Sequence, residues 1–310
     1  MPDHPGGLTR EHVVWAYRLL LDRDPESEDV IAPKLAGSRD TRELRHHLMT
    51  SSEFQEKNRD YAHTNDRTVV ITELERGVRL FVDLSDHVIG LNIVRGQYER
   101  DATELVRRTL HPGDTAIDAG AHIGLFAIQM AAAVGGSGIV YAFEPFGPSA
   151  DLVARSIAEN HFENRVVLRR SAVGAASGTA TLTFPVETLN TGGAYVVRPG
   201  TVPMPGHRTT EVPIVALDDL DIRRPVRLIK MDVEGAEPLV VRGAARLIAE
   251  DRPLIISELH PAQLDRVSGV GAADFLDEMR RLGYHAMTLD GSPLDRAPAD
   301  TMASVILRAS

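Results

Sequence analysis

The chain has 310 residues, 43% of them hydrophobic and 25% charged, which is enough for one large α/β domain and a small extra module. Its formal net charge of −10 argues against a general nucleic-acid or anionic-membrane surface. With no cysteine, disulfides, thiolate metal sites and a cysteine nucleophile are all excluded.

The opening MPDHPGGLTREH lacks an apolar signal core, and no run approaches the roughly 18 apolar residues of a membrane helix. The expectation is a cytoplasmic protein with no integral membrane segment. Residues 8 to about 58 then read as helical. Thr9 can cap a first helix whose Val13, Val14, Tyr17, Leu20 and Leu21 share a face, and Leu44, Leu48 and Phe54 mark a later one. This predicts a small all-α domain over residues 1–58, with Trp15, Tyr17 and Phe54 packed in its core. From Thr68 the apolar period becomes two, through Val69, Ile71, Val78, Leu80, Val82 and Leu84, so a hairpin opens the second domain, residues 59–310. Ala102 to Leu110 form a helix just before Asp114. Tyr98 and Glu99 precede that helix, and Glu99 either complements its dipole or touches a ligand.

Residues 113–145 are the most informative stretch. TAIDA is a strand, GAHIG a turn and LFAIQMAAA a helix, and IVYAFEP is a second strand, so the unit is βαβ with Asp118 and Glu144 closing its strands. Gly120 and Gly124 flank the mouth of the helix, where a backbone without Cβ can approach a ligand. Glu144 stands 24 residues past Gly120, where a doubly wound unit places the carboxylate that binds ribose hydroxyls. The spacing D-x-G-x-x-x-G does not match the dinucleotide fingerprint, and Asp118 would repel a pyrophosphate, so a cofactor without phosphates that carries a cationic amino-acid group fits better.

Pro148 then opens a helix through Asn160. RVVLRRSAV reads as one strand ending at Ser171 and Ala172, near which an adenine is expected. GTATLTF is a further strand, LNTGGAYVVRPGTVPMPGHR a loop of the kind that covers a site, and TEVPIVALDDL is expected to return to the sheet. In VRLIKMDVEGAE an apolar strand ends in Lys230, Asp232 and Glu234. The next strand, PLIISELHP, ends in Glu258 and His260 on one face. HAMTLD and TMASVILRA read as a closing antiparallel pair after the helix GAADFLDEMRRLG.

The DAGAHIG turn resembles that of class I S-adenosylmethionine-dependent methyltransferases. Taken with YE at 98–99, FEP at 143–145, NTGG at 190–193, KMDVEGAE at 230–237 and ELHP at 258–261, it resembles the FkbM family of O-methyltransferases over roughly residues 69 to 308. His122 departs from the asparagine usual there. The resemblance implies an α/β class I methyltransferase (Rossmann-like) fold: a seven-stranded, mostly parallel sheet with an antiparallel closing strand, preceded by the small all-α domain. It also implies methylation of a hydroxyl, commonly on sugars of antibiotics, glycolipids or polysaccharides. Glu99, Asp118, Gly120, Ala121, His122, Gly124, Glu144, Pro145, Ser171, Ala172 and Asp232 are the expected cofactor contacts. The text AYRLLLDRDPESED and ELRHHLMTSSEFQEK resembles a helical domain found beside glycan-tailoring enzymes.

An alcohol is a poor nucleophile, so a hard cation such as magnesium or manganese, held by Asp232 and Glu258, is expected to orient it and lower its pKa. His260 is the first choice for taking the proton and Lys230 the second, with Asp232 also catalytic. The alternatives are a metal-free enzyme with His260 alone as base, an NAD-dependent enzyme, which the turn spacing disfavours, and a non-catalytic glycan-binding or scaffold protein. The expected partners are a glycan or glycosylated small molecule and no nucleic acid. Residues 1–58 are expected to recruit substrate or assemble protomers.

Overall fold

The computed structural model describes residues 8–21, 23–57, 69–86, 89–185, 191–297 and 301–310. The chain divides into two compact units, Met1–Arg67 and Thr68–Ser310. The junction expected between residues 58 and 59 lies outside the described residues.

The first unit contains helices Arg10–Leu21, Glu28–Ala36, Thr41–Met49 and Ser52–Lys57. Thr9 caps the first of them: its Oγ1 accepts the His12 N–H at 3.4 Å. Val13, Tyr17 and Leu21 recur every four residues and form one buried stripe, which packs with Ile31, Leu44 and Leu48. Phe54 packs against this core from a partly buried position. Trp15 does not join it and is 59% exposed. Two residues along a helix is about 200° of rotation, so the stripe that buries Val13 and Tyr17 turns Trp15 outward.

In the second unit the strands, in chain order, are β1 (Val69–Glu73), β2 (Arg79–Asp83), β3 (Thr115–Ala119), β4 (Ile139–Phe143), β5 (Val166–Arg169), β6 (Ala172–Val173), β7 (Gly178–Pro185), β8 (Tyr195–Val196), β9 (His207–Val215), β10 (Val226–Met231), β11 (Leu254–Leu259), β12 (Tyr284–Thr288) and β13 (Ala303–Ala309). β1 and β2 form the antiparallel hairpin. It lies against helix Gly147–Glu159, where the Phe81 N–H donates to Ser156 Oγ at 3.0 Å.

The main sheet has seven strands in the order β12-β13-β11-β10-β3-β4-β5. β13 runs antiparallel to both its neighbours, β11 and β12, and the other neighbouring pairs are parallel. This is the class I methyltransferase sheet. Its interior strand β3 is buried along its whole length, as a parallel strand covered on both faces must be. Helix Leu125–Val134 covers one face and is apolar nearly all round. The chain leaves β3 toward β4 and β5, then returns on the other side as β10 and β11. The strand order therefore reverses between β3 and β10, which opens a crevice at their carboxyl ends.

Two expectations need correction. RVVLRRSAV is not one strand: β5 stops at Arg169, and Ala172–Val173 pairs with β9 in a separate four-stranded sheet of order β6-β9-β7-β8. TEVPIV, which lies within β9, belongs to that sheet and not to the main one. Thr209, Thr210 and Glu211 on β9 are exposed, a pattern a strand buried on both faces could not tolerate. The loop expected over 189–208 contains β8, which pairs with β7. Its first two residues lie outside the described residues.

Candidate active site

The turn after β3 is tied to the end of β4, because the N–H groups of Gly120 and Ala121 both donate to the Phe143 carbonyl, at 3.0 and 2.9 Å. Gly120 adopts φ 83°, and a Cβ there would stand 1.9 Å from the Asp232 carbonyl oxygen. What requires glycine here is the chain's own β10 end. Gly124 (φ 94°) opens helix Leu125–Val134, and His122 holds φ 49°.

This turn presents a backbone donor to Glu144. The His122 N–H donates to Glu144 Oε2 at 2.7 Å, and the Phe146 N–H donates to Oε1 at 2.8 Å. The carboxyl is thus fixed in orientation while each oxygen keeps a lone pair. Glu144 is only 6% exposed, and burial pushes its pKa up to about 8.

At the neighbouring strand ends a charge cluster surrounds Lys230, which is 3% exposed. Its Nζ lies 2.9 Å from Asp232 Oδ2 and 4.7 Å from the centre of the Phe126 ring. Asp118 is its register partner on β3, and Glu99 also faces it. Burial alone would lower the lysine pKa, but the surrounding carboxylates raise it. For Asp232 burial works upward, and the Lys230 charge and hydrogen bond outweigh it, so this acid sits below the usual carboxylate range. Glu258 shares a hydrogen bond with Asp232, and burial together with that negative charge pushes it up to about 9. Burial likewise lifts Asp118 and Glu237 to about 7 and Glu234 to about 8. One acid of the group is firmly ionised, and its neighbours hold protons readily.

A cavity of about 270 Å³ lies over these strand ends. Of the expected residues, Gly120, His122, Glu144 and Pro145 line it from the β3 and β4 side, and Ser171 and Ala172 from the β5–β6 turn. Asp232 and Glu258 line it from the other side of the crevice. Asp118 is 1% exposed and does not line it. Lys230, Ala121 and Gly124 shape the site without lining it. Glu99 does not line it either, and borders a neighbouring cavity of about 370 Å³. His260 is also outside: its Nδ1 accepts the Gln263 N–H at 3.4 Å and so caps helix Pro261–Val267.

Sequence reasoning missed several walls. Leu182 and Tyr195 reach the cavity from the four-stranded sheet, and Met302 from the approach to β13. Spacing carries no signal that these segments fold over the crevice. Phe143 and Glu234 could have been found, since each adjoins or shares a strand-end motif that was recognised.

The donor set tests the expected metal. Among the described residues no group of three or more His, Asp or Glu is arranged to hold an ion. Asp232 and Glu258 supply two carboxyls, and the Lys230 ammonium already neutralises Asp232. The pair fits a shared proton better than a divalent cation.

The reversing sheet with its cavity at the carboxyl strand ends is the fold of the class I methyltransferases. Residues 118–286, more than half of the chain, match the Methyltransferase FkbM domain, and the chain belongs to that family. No curated protein matches it significantly. Among solved structures it is similar to methyltransferase FkbM from Methylobacillus flagellatus, at 16% identity over 95% of this chain and 58% of that one, with a TM-score of 0.41. It is similar to an SAM-dependent O-methyltransferase from Thermotoga maritima at 14% identity, covering 77% of each chain, TM-score 0.40. It is also similar to M. jannaschii TYW2 in complex with AdoMet, at 12% identity over 79% of this chain and 87% of that one, TM-score 0.43. The chain spans 58% of the length of the first of these. No helix among the described residues is long and apolar enough to cross a membrane.

Proposed function

We propose that the protein transfers a methyl group from S-adenosylmethionine to a hydroxyl, on a sugar of a glycan, glycolipid or glycosylated natural product. The observation that carries this reading is one cavity bordered by both Glu144, oriented by two backbone donors, and the Asp232–Glu258 pair. The sugar rests on the family resemblance alone.

When bound, the cofactor supplies an electrophilic methyl on a sulfonium. Glu144 accepts hydrogen bonds from its ribose, and Phe143, Val173 and Leu182 give an apolar wall for its adenine beside Ser171 and Ala172. Asp232 is the ionised acceptor in the cavity and holds the acceptor hydroxyl by its proton. As the O–H bond weakens, the proton passes to this carboxylate. A carboxylate of low pKa, held ionised by the Lys230 ammonium, is a weak base, but a hydroxyl oxygen that is being alkylated becomes strongly acidic, so Asp232 accepts its proton late in the transfer. Asp232 takes the role expected of His260, which serves as a helix cap.

The test is incubation with methyl-labelled S-adenosylmethionine and a panel of glycosides, with and without EDTA. Label in the glycoside that survives EDTA supports the reading. Loss of transfer in EDTA with recovery in magnesium would turn Asp232 and Glu258 into ion ligands, as the sequence led one to expect. Cofactor binding with no label on any hydroxyl compound would count against O-methylation.

A further inference from the structure

Tyr98 and Glu99 stand between two cavities. Tyr98 lines the first, with Asp232 and Glu258. Its neighbours Gln97 and Glu99 line the second, together with Arg100, Asp101, Leu289 and Ser304. The register β11–β13 sets Glu258, which lines the first cavity, opposite Ser304, which lines the second. The Glu99 carboxyl faces Lys230 and Asp232. A molecule seated in the second cavity is therefore adjacent to the carboxyl pair that ends the first.

We propose that this second cavity is the acceptor subsite and that it takes a neutral, polyhydroxylated ring, presenting one hydroxyl past Tyr98 and Glu99 to Asp232. The proposal rests on the reading of methyl transfer to a hydroxyl and adds where that acceptor binds and which residues select it.

The chemistry of the lining argues for this class. The side chains of Gln97, Arg100, Asp101 and Ser304 make no hydrogen bond or ion pair among the described residues, although Arg100 and Asp101 are adjacent and opposite in charge. Together they offer a guanidinium donor, a carboxylate acceptor, and an amide and a hydroxyl that serve as both. A ring bearing several hydroxyls, each both donor and acceptor, can satisfy that mixture. A phosphate or carboxylate ligand would meet Glu99 and Asp101, and an ammonium ligand would meet Arg100, so either sign of charge finds a like charge in the wall. Leu289 supplies the one large apolar side chain of the lining, suited to the C–H face of such a ring.

The experiment is a titration with neutral methyl pyranosides, read by saturation-transfer NMR, on the full-length protein with and without S-adenosylhomocysteine, using a glucuronide as charged control. The expected result is binding of at least one neutral glycoside over the glucuronide. It should be weakened by about tenfold in Arg100→Ala and Asp101→Asn, and abolished when Leu289→Trp fills the cavity. S-adenosylhomocysteine affinity should be unchanged in all three. Glycoside binding that ignores all three substitutions, or no neutral glycoside binding at all, overturns the proposal. The arm without nucleoside keeps the two readings apart. A protein that fails to bind S-adenosylhomocysteine loses the methyl-transfer reading, whereas glycoside binding that still responds to the variants upholds the subsite.

Discussion

Lys230 and Asp232 form a single buried ion pair among acids that are each free to stay protonated, and this settles what their replacement should do. Asp232→Asn keeps the shape and removes the ionised acceptor, so transfer should fall by about 10²–10⁴ while S-adenosylmethionine affinity changes little. Single-turnover transfer and calorimetry on the same variant separate the two, and a fully active Asp232→Asn would reduce the cluster to a structural network. Glu144→Ala should do the reverse and cost roughly 1–3 kcal/mol of cofactor binding, as expected when a buried hydrogen-bond partner is lost. Unchanged affinity would reject Glu144 as the ribose ligand. The buried acids also set a pH dependence. Glu144 is raised to about 8 and Asp118 and Glu237 to about 7, so each binds its proton more tightly in the folded chain than in the unfolded one. Stability from them is complete below the ordinary carboxylate range and is lost as pH rises through those values. Asp232 acts with the opposite sign, but only below its ordinary range. The urea midpoint of the ligand-free protein should therefore be higher near pH 6 than near pH 9. An equal midpoint at the two would mean that these carboxyls ionise in place without cost.

At the scale of elements, the glycine turn is the stiffest constraint in the site. Gly120→Ala puts a methyl against the Asp232 carbonyl at a positive φ, so a loss of about 2 kcal/mol or more is expected in denaturant titrations, with the β3 and β10 ends forced apart. The turn, the strand-end acids and the closing antiparallel pair were legible because each follows from local rules: apolar runs, glycine at a bend, charge where a strand emerges. The reason assigned to Gly120 was not legible, since its neighbour comes from a strand more than 100 residues away. His260 shows the same limit. A histidine before proline at a strand end reads equally as base or cap, and the Gln263 N–H that its Nδ1 accepts is not visible in the sequence. The four-stranded sheet stayed hidden because β6 and β8 are two residues each, too short to show a period.

Over the whole molecule the helical unit carries no assembled chemistry among its described residues, and we keep for it the role of recruiting substrate or joining protomers. A shortened protein beginning near Asp66 should then bind S-adenosylmethionine as the full chain does, and loss of binding in a folded truncation would refute that division. The chain has one tryptophan, Trp15, and it is exposed, so intrinsic indole emission reports on this unit alone and should be that of a solvated ring. The position of β13 has a consequence for synthesis. It lies between β11 and β12, so the edge of β11, which carries Glu258, stays unpaired until residues 303–309 have left the ribosome. A nascent chain paused just short of them holds nearly every side chain of the candidate site and an open strand edge beside the cavity. Chaperone protection is most needed in that interval.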